Sequence, residues 1–294
     1  MASLKFGRTC QLIVQSAIGV PVFITPPFTI EFDITRKTLA SANVAQFRIY
    51  NLGLQVRNAL RFNISNFCTY RQCVFLFGYG LQPYVAFQGN ITQAWSFREG
   101  SNFITQIECY DGGFAISNGL VGGANGQLPP GLPTDKAILK LMTTGLPNVR
   151  PGAVGNFPQI STTAQSYNGN TTKLLSDLAP NKFFIDNEKA YALNDNEVVA
   201  DPPIVVTAAS GLLGTPMLEA TIVHFDMLME PRLTLGSPVI LQSFTEAAYN
   251  GKYRVQGLKH RGVISDAVCG SAITTLECNA LNNLTTPVLV PRIS

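Results

Sequence analysis

The strongest constraint in this chain is a period of two. In "FTIEFDIT", Phe28, Ile30, Phe32 and Ile34 alternate with Thr29, Glu31, Asp33 and Thr35. Successive side chains of a strand point to opposite faces, so the pattern specifies a strand with one buried face and one wet face. "VAQFRIYNL" repeats it, with Phe47 and Ile49 on one side and Arg48 and Tyr50 on the other. "CVFLFGYG", "YVAFQGNITQAW" and "NFITQIECY" follow. The alternation stops after residue 110 and returns from 204, in "ATIVHFDMLME", "SPVILQS", "GKYRVQGLKHRG" and "AITTLECNA".

Between these stretches the character changes. "DGGFAISNGLVGGANGQLPPGLP" is rich in Gly and Pro and reads as a boundary or a long loop. "TDKAILKLMTT" suits a helix capped by Thr134, with Ile138, Leu139 and Met142 on one face. "NTTKLLSDLAP" suits a second helix ended by Pro180, and "LQVRNALRF" a short one earlier in the chain. "KFFIDNEKAYAL" reads as a hairpin turning at Asp186, Asn187 and Glu188. The expected fold is therefore mainly β with a small α+β module. Two similar antiparallel β-barrel domains, 1–119 and 204–294, flank a helix-hairpin insert at 120–203.

The similarity of the two β stretches rests on an echo. Residues 104–109 read "ITQIEC" and residues 273–278 read "ITTLEC". Each is preceded, in the same order, by a buried run, a loop and a strand ending in a bulge-like glycine. A barrel written twice accounts for this, and convergent strand composition is the alternative. Under duplication, Thr105, Ile107 and Cys109 share a face that matches Thr274, Leu276 and Cys278. Glu108 and Glu277 then point outward, toward polar neighbours or a subunit contact. Gly257 shifts the parity between Val255 and Leu258, which suggests a bulge.

Of 294 residues, 46% are hydrophobic and only 13% charged. So few charges suit a surface buried in an assembly, or a β-protein coated with Thr, Asn, Ser and Gln. A net charge of +3 is too small to argue for nucleic acid, although residues 1–110 hold nine Lys/Arg against four Asp/Glu. The six cysteines show no paired spacing, so free thiols and synthesis in a cytoplasm are expected. "LIVQSAIGVPVFI" is broken by Gln15, Gly19 and Pro21, so membrane insertion is not expected.

Chemistry is hard to assemble from these residues. The two histidines, His224 and His260, have no metal-spaced partner, and no nucleophile elbow occurs. Asp195, Glu197 and Asp201 read as a solvated loop. "GGANG" lacks the Lys-Ser/Thr of a phosphate loop. No catalytic, cofactor or metal residue is assigned, and no cofactor is expected. "KYRVQGLKHR" brings Arg254, Lys259, His260 and Arg261 together, either as a charged rim at a subunit interface or as a solvated edge strand.

The ordered series "FGRTCQLIV", "FTIEFDIT", "VAQFRIYNLG", "VFLFGYG", "FQGNITQAWSF" and "ITQIECYDGG" resembles the opening domain of tailed-bacteriophage baseplate hub proteins. "MLMEPRLTLGSPVILQS" and "NGKYRVQGLKHRG" resemble that family's second barrel. The family is related to late control protein D and to the hub portion of type VI secretion spikes. The resemblance implies a non-enzymatic homotrimer with pseudo-sixfold symmetry in the virion baseplate, assembled in the host cytoplasm. Its implied partners are tail tube protein, spike protein and other baseplate proteins, with DNA passing through an axial channel. The residues alone leave open a virion-associated cell-wall hydrolase or a carbohydrate-binding module.

Overall fold

Alternating segments need hydrogen-bonded neighbours, and the computed structural model shows how they find them. It describes residues 5, 7–39, 42–63, 69–266, 270–280 and 287–293. The first stretch supplies β1 (Arg8–Gln15), β2 (Pro21–Ile24), β3 (Ile30–Lys37), β4 (Asn43–Tyr50), α1 (Leu54–Leu60), β5 (Phe62–Asn63), β6 (Gln72–Tyr79), β7 (Gln82–Glu99) and β8 (Asn102–Asp111). The middle stretch begins with α2 (Gly113–Asn118), β9 (Leu120–Val121), β10 (Gln127–Leu128) and α3 (Thr134–Gly145). It continues with β11 (Arg150–Val154), β12 (Gln165–Ser166), β13 (Gly169–Asn170) and α4 (Thr171–Leu178), then β14 (Phe183–Asp186), β15 (Lys189–Ala192) and β16 (Glu197–Val199). The last stretch adds β17 (Ile204–Val206), β18 (Leu212–Glu219), β19 (Ile222–Leu228), β20 (Pro238–Leu241), β21 (Gly251–Ile264), β22 (Ala272–Ala280) and β23 (Val288–Val290).

Fourteen of these strands form a single sheet in the order β18-β19-β22-β21-β3-β4-β8-β7-β6-β1-β2. Strand β20 lies against β21 and β17 against β20, while β5 lies against β7. The first and last stretches therefore do not close into separate sheets. Gly257–Ile264 of β21 runs antiparallel to Lys37–Ile30 of β3 and joins them along a hydrogen-bonded seam. The alternating pattern could not reveal this, because it specifies a face and not a neighbour.

The buried faces make two cores on this sheet. One holds Phe32, Phe47, Phe75, Phe77 and Phe87, with the rings of Phe32 and Phe75 4.9 Å apart. The other holds Val223, Phe225, Met227, Val255 and Leu276. Each large apolar side chain contributes about 1.5–3 kcal/mol on leaving water. The third core gathers Ile138, Leu141, Met142, Leu175 and Ile185 from α3, α4 and the β14–β15 hairpin.

The middle stretch departs from the sequence expectation in detail. Pro133, not Thr134, is the cap of α3, and Thr134 Oγ1 donates to the Gln159 carbonyl at 2.9 Å instead. Leu139 is only half-buried, because Ala137 and Leu141 complete the inner face with Ile138 and Met142. The glycine-rich stretch after Asp111 is not wholly a loop: Gly112, at φ 66°, turns the chain into α2.

The seam depends on a glycine. A Cβ at Gly262 would lie 2.4 Å from the Ser271 carbonyl oxygen, 2.8 Å from Ala272 Cα and 2.9 Å from the Phe32 ring. Two of these neighbours are backbone atoms, which cannot rotate away. Gly262→Ala is expected to cost about 1–3 kcal/mol by overpacking, measured by denaturant unfolding. Unchanged stability would mean that β21 can shift away from Ser271 and Ala272.

Candidate functional site: a buried junction beneath two matched strand sets

The sheet contains one strand order twice. The series β3-β4-β8-β7-β6-β1 is matched by β18-β19-β22-β21-β20-β17. The match extends to single residues. On β8, Cys109 pairs with Ile91 and Glu108 with Gln93, so Thr92 is bulged out. On β22, Cys278 pairs with Val255 and Glu277 with Gly257, so Gln256 is bulged out. Cys109 and Cys278 face Ala45 and Val223 on their other sides. A bulge at the same point of both echoes fixes the same register in both. The unpaired residue is Thr92 in the first set and Gln256, just before Gly257, in the second. The sets differ in one pairing, since β1 meets β6 antiparallel whereas β17 meets β20 parallel.

Thr105, Ile107 and Cys109 are buried, and so are Thr274, Leu276 and Cys278. Glu108 and Glu277 are half-exposed on the opposite face. Glu277 accepts from Lys37 Nζ at 2.7 Å, across the seam. Ser96 and Thr105 share a hydroxyl hydrogen bond of 2.9 Å, and the equivalent His260 and Thr274 share one of 2.8 Å.

Arg36 lies where the two sets join. It continues the inward series Ile30, Phe32, Ile34, and its side chain is completely buried. Nη1 donates to Asp186 Oδ1 at 3.0 Å, and Nη2 donates to the Leu233 carbonyl at 3.0 Å. Nη2 also lies 3.1 Å from His260 Nε2. A guanidinium only donates, so Nε2 must accept and the imidazole proton sits on Nδ1, directed at Thr274 Oγ1. That hydroxyl also accepts from the Glu230 amide at 3.0 Å. Asp186 Oδ2 accepts from the Leu235 amide at 3.0 Å, which completes the carboxylate.

Asp186 opens the tip of the β14–β15 hairpin, whose turn residues Asn187 and Glu188 have φ 51° and 54°. The tip is gripped from the first strand set. Asp111, at the end of β8, accepts the amides of Asn187 and Glu188 at 2.5 and 2.8 Å. Glu188 accepts from Tyr70 at 2.6 Å and from Gln88 at 2.6 Å. Asn43 donates to the Ile185 carbonyl at 2.8 Å. One hairpin tip thus ties the middle module to both strand sets. Arg36, Asp186 and His260 are enclosed, whereas Tyr70, Gln88 and Glu188 line a surface pocket at the hairpin tip.

Two residues expected at a subunit rim lie elsewhere. His260 is 0% exposed inside the junction. Arg254 is buried beneath the middle module, with Nη1 donating to the Asn194 and Glu197 carbonyls. Lys259 and Arg261 alternate with His260 and remain accessible. Strand β21 is not an edge, having β22 on one side and β20 and β3 on the other. Nor is the acidic stretch a solvated loop. Glu197 is buried and accepts the Asn156 and Asn194 amides, and Asp201 pairs with Arg292.

Cys10, Cys73, Cys109 and Cys278 are free and buried; Cys68 and Cys269 lie outside the described residues. Burial and then Asp266 push the Cys10 thiol up to about 12. Among the described residues no cluster of His, Cys, Asp and Glu could hold a metal ion, and no helix is long and apolar enough to cross a membrane.

Residues 154–264 match the family model described as baseplate hub gp41. The match covers 111 of the 294 residues, and over that part the chain is similar to the phage baseplate hub family. No curated protein sequence matches it significantly. Its fold is shared with solved structures at very low identity. The prophage MuSo2 43 kDa tail protein from Shewanella oneidensis aligns over 95% of this chain and 99% of its own, with TM-score 0.59 and 8% identity. A tail protein from Neisseria meningitidis MC58 aligns over 94% and 97%, with TM-score 0.60 and 11% identity. The E. coli c3393 protein, described as a component of the type VI secretion system, aligns over 91% and 77%, with TM-score 0.52 and 9% identity.

The junction makes two expectations. Arg36→Met leaves a buried carboxylate without its cation and should cost about 3–5 kcal/mol. Adding Asp186→Asn should restore part of that loss, read as a coupling energy in a double-mutant cycle. The second concerns pH. Burial, and then the Arg36 charge, hold His260 well below its usual pKa of 6.5. Below that value the unfolded chain takes up a proton that the folded chain refuses. The contribution of His260 is therefore complete above about pH 6.5 and is lost as pH falls. Asp111 acts in the opposite sense. Burial and then Asp186 raise it to about 8, so its contribution shrinks as pH rises from the carboxylate range toward 8. Comparing wild type with His260→Asn isolates the first effect. Their difference in unfolding free energy should narrow between about pH 7 and 5; a constant difference would exclude a neutral buried imidazole.

Proposed function

We propose that the chain is the structural hub of a phage tail baseplate and performs no catalysis. Segments 1–119 and 204–294 act as two similar tube-like units, and 120–203 is the module that locks them together. Three chains around an axis present six similar strand sets. Such a ring has true threefold and approximate sixfold symmetry, and so joins a sixfold tail tube to a threefold spike. Its axial channel passes DNA when the genome leaves the particle. The observation that carries this reading is the repeated strand order with its shared bulge. The fold shared with a type VI secretion component supports a spike partner. Lys259 and Arg261 remain candidates for contact with neighbouring subunits or baseplate proteins.

Light scattering should give a trimer, and electron microscopy end views should show six similar lobes around an open centre. Purified tail tube protein should bind one face. A monomer or a true hexamer would overturn the reading. So would turnover of peptidoglycan by the purified protein that a single Asp or Glu substitution abolishes.

A further inference from the structure

The seam inside the chain has two unpaired counterparts at its surface. Matching through the bulge equates Lys259, His260 and Arg261 of β21 with Trp95, Ser96 and Phe97 of β7. Matching β3 with β18 through β4 and β19 equates Asp33, Ile34 and Thr35 with Met217, Leu218 and Glu219. Within the chain the first trio pairs with the second: Lys259 with Thr35, His260 with Ile34 and Arg261 with Asp33. Their equivalents have no such partner among the described residues. Strand β18 ends the sheet, and beyond β5 no strand among the described residues pairs with the outer side of β7, where α1 lies nearby.

From this we infer that Trp95–Phe97 of one copy pairs antiparallel with Met217–Glu219 of the next, reproducing the seam between chains. The inference rests on the ring reading above and gives it a register: Phe97 opposite Met217, Ser96 opposite Leu218 and Trp95 opposite Glu219.

Three observations select a second copy of this chain as the occupant. Leu218 is 49% exposed, although its equivalent Ile34 is 0% exposed beneath the seam. An apolar residue in open water at a position built for burial marks a missing neighbour. The ends also agree. Strand β5 occupies Gln93 and Ala94, and β18 stops at Glu219, so the two runs finish at the same register. Finally, the chemistry has changed on both sides together. Across the seam Lys259 Nζ and Asp33 Oδ2 form an ion pair of 2.8 Å. Their equivalents are Trp95 and Met217, an aromatic ring and a thioether, which attract one another. Pro216 lacks an amide hydrogen, so the pairing is confined to the three residues after it.

The test uses the full chain carrying Phe97→Cys and Met217→Cys. Opposed strand residues have Cα atoms about 4.5–5.5 Å apart, within disulfide range. Mild oxidation should give a covalent ladder that ends at three chains, and each single variant should give none. In a second arm, Met217→Asp should weaken self-association by about tenfold or more, and Trp95→Lys in the same chain should restore it by recreating the ion pair of the seam. Circular dichroism should show both variants folded. If light scattering shows a trimer but no ladder forms and Met217→Asp changes nothing, the inference is overturned and the ring reading stands. If the chain stays monomeric at its solubility limit and gives no ladder, both fall.

Discussion

A guanidinium with no exposed surface is the condition on which this architecture rests. Burying a guanidinium alone would cost several kcal/mol. That of Arg36 is tolerable only because Asp186, the Leu233 carbonyl and a neutral His260 surround it. These partners come from the middle module, the loop before β20 and β21. The arginine therefore requires all three parts of the chain to be in place together. Such a pair adds little net stability compared with an apolar substitute, but it penalises every arrangement in which one partner is missing. Here it selects a single docking of the hairpin against the two strand sets.

Much of the architecture follows from local pattern. Half-buried strands write their burial directly into the alternation, so β3, β4, β8, β19 and β22 are visible in the residues themselves. The hairpin at Asn187 and Glu188 is similarly local, since turn residues and short flanking apolar runs suffice to define it. The seam is not local. Arg36 and His260 are 224 residues apart, and nothing in either strand names the other. Parity did carry a signal, because Arg36 and His260 each continue an inward series. Reading His260 with its sequence neighbours Lys259 and Arg261 hid that signal. Arg254 misleads for another reason: its burial is imposed by the 194–197 segment laid over it.

The two strand sets have also diverged in an informative way. Positions that meet inside the chain keep charge, with Lys259 against Asp33 and Lys37 against Glu277. The counterparts of Lys259 and Asp33 at the open ends, Trp95 and Met217, are apolar, whereas Glu277 has a charged counterpart in Glu108. The hydroxyl that pairs with Thr105 in one set is replaced by an imidazole in the other, where it serves Arg36. The strand frame is repeated, and the joint is built from side chains at equivalent places in it.

The seam also sets a timetable for synthesis. Strand β3 leaves the ribosome early, but its partner β21 lies more than 200 residues further on. At about 5–20 residues per second, the outer edge of β3 stays uncovered for roughly 10–40 seconds. A bare edge is a template for pairing with another nascent chain. Glu31 and Asp33 on its wet face, with Arg36 and Lys37 at its end, put charge along that edge during the wait. The residues that later close the joint therefore first serve to keep neighbouring, half-made copies apart.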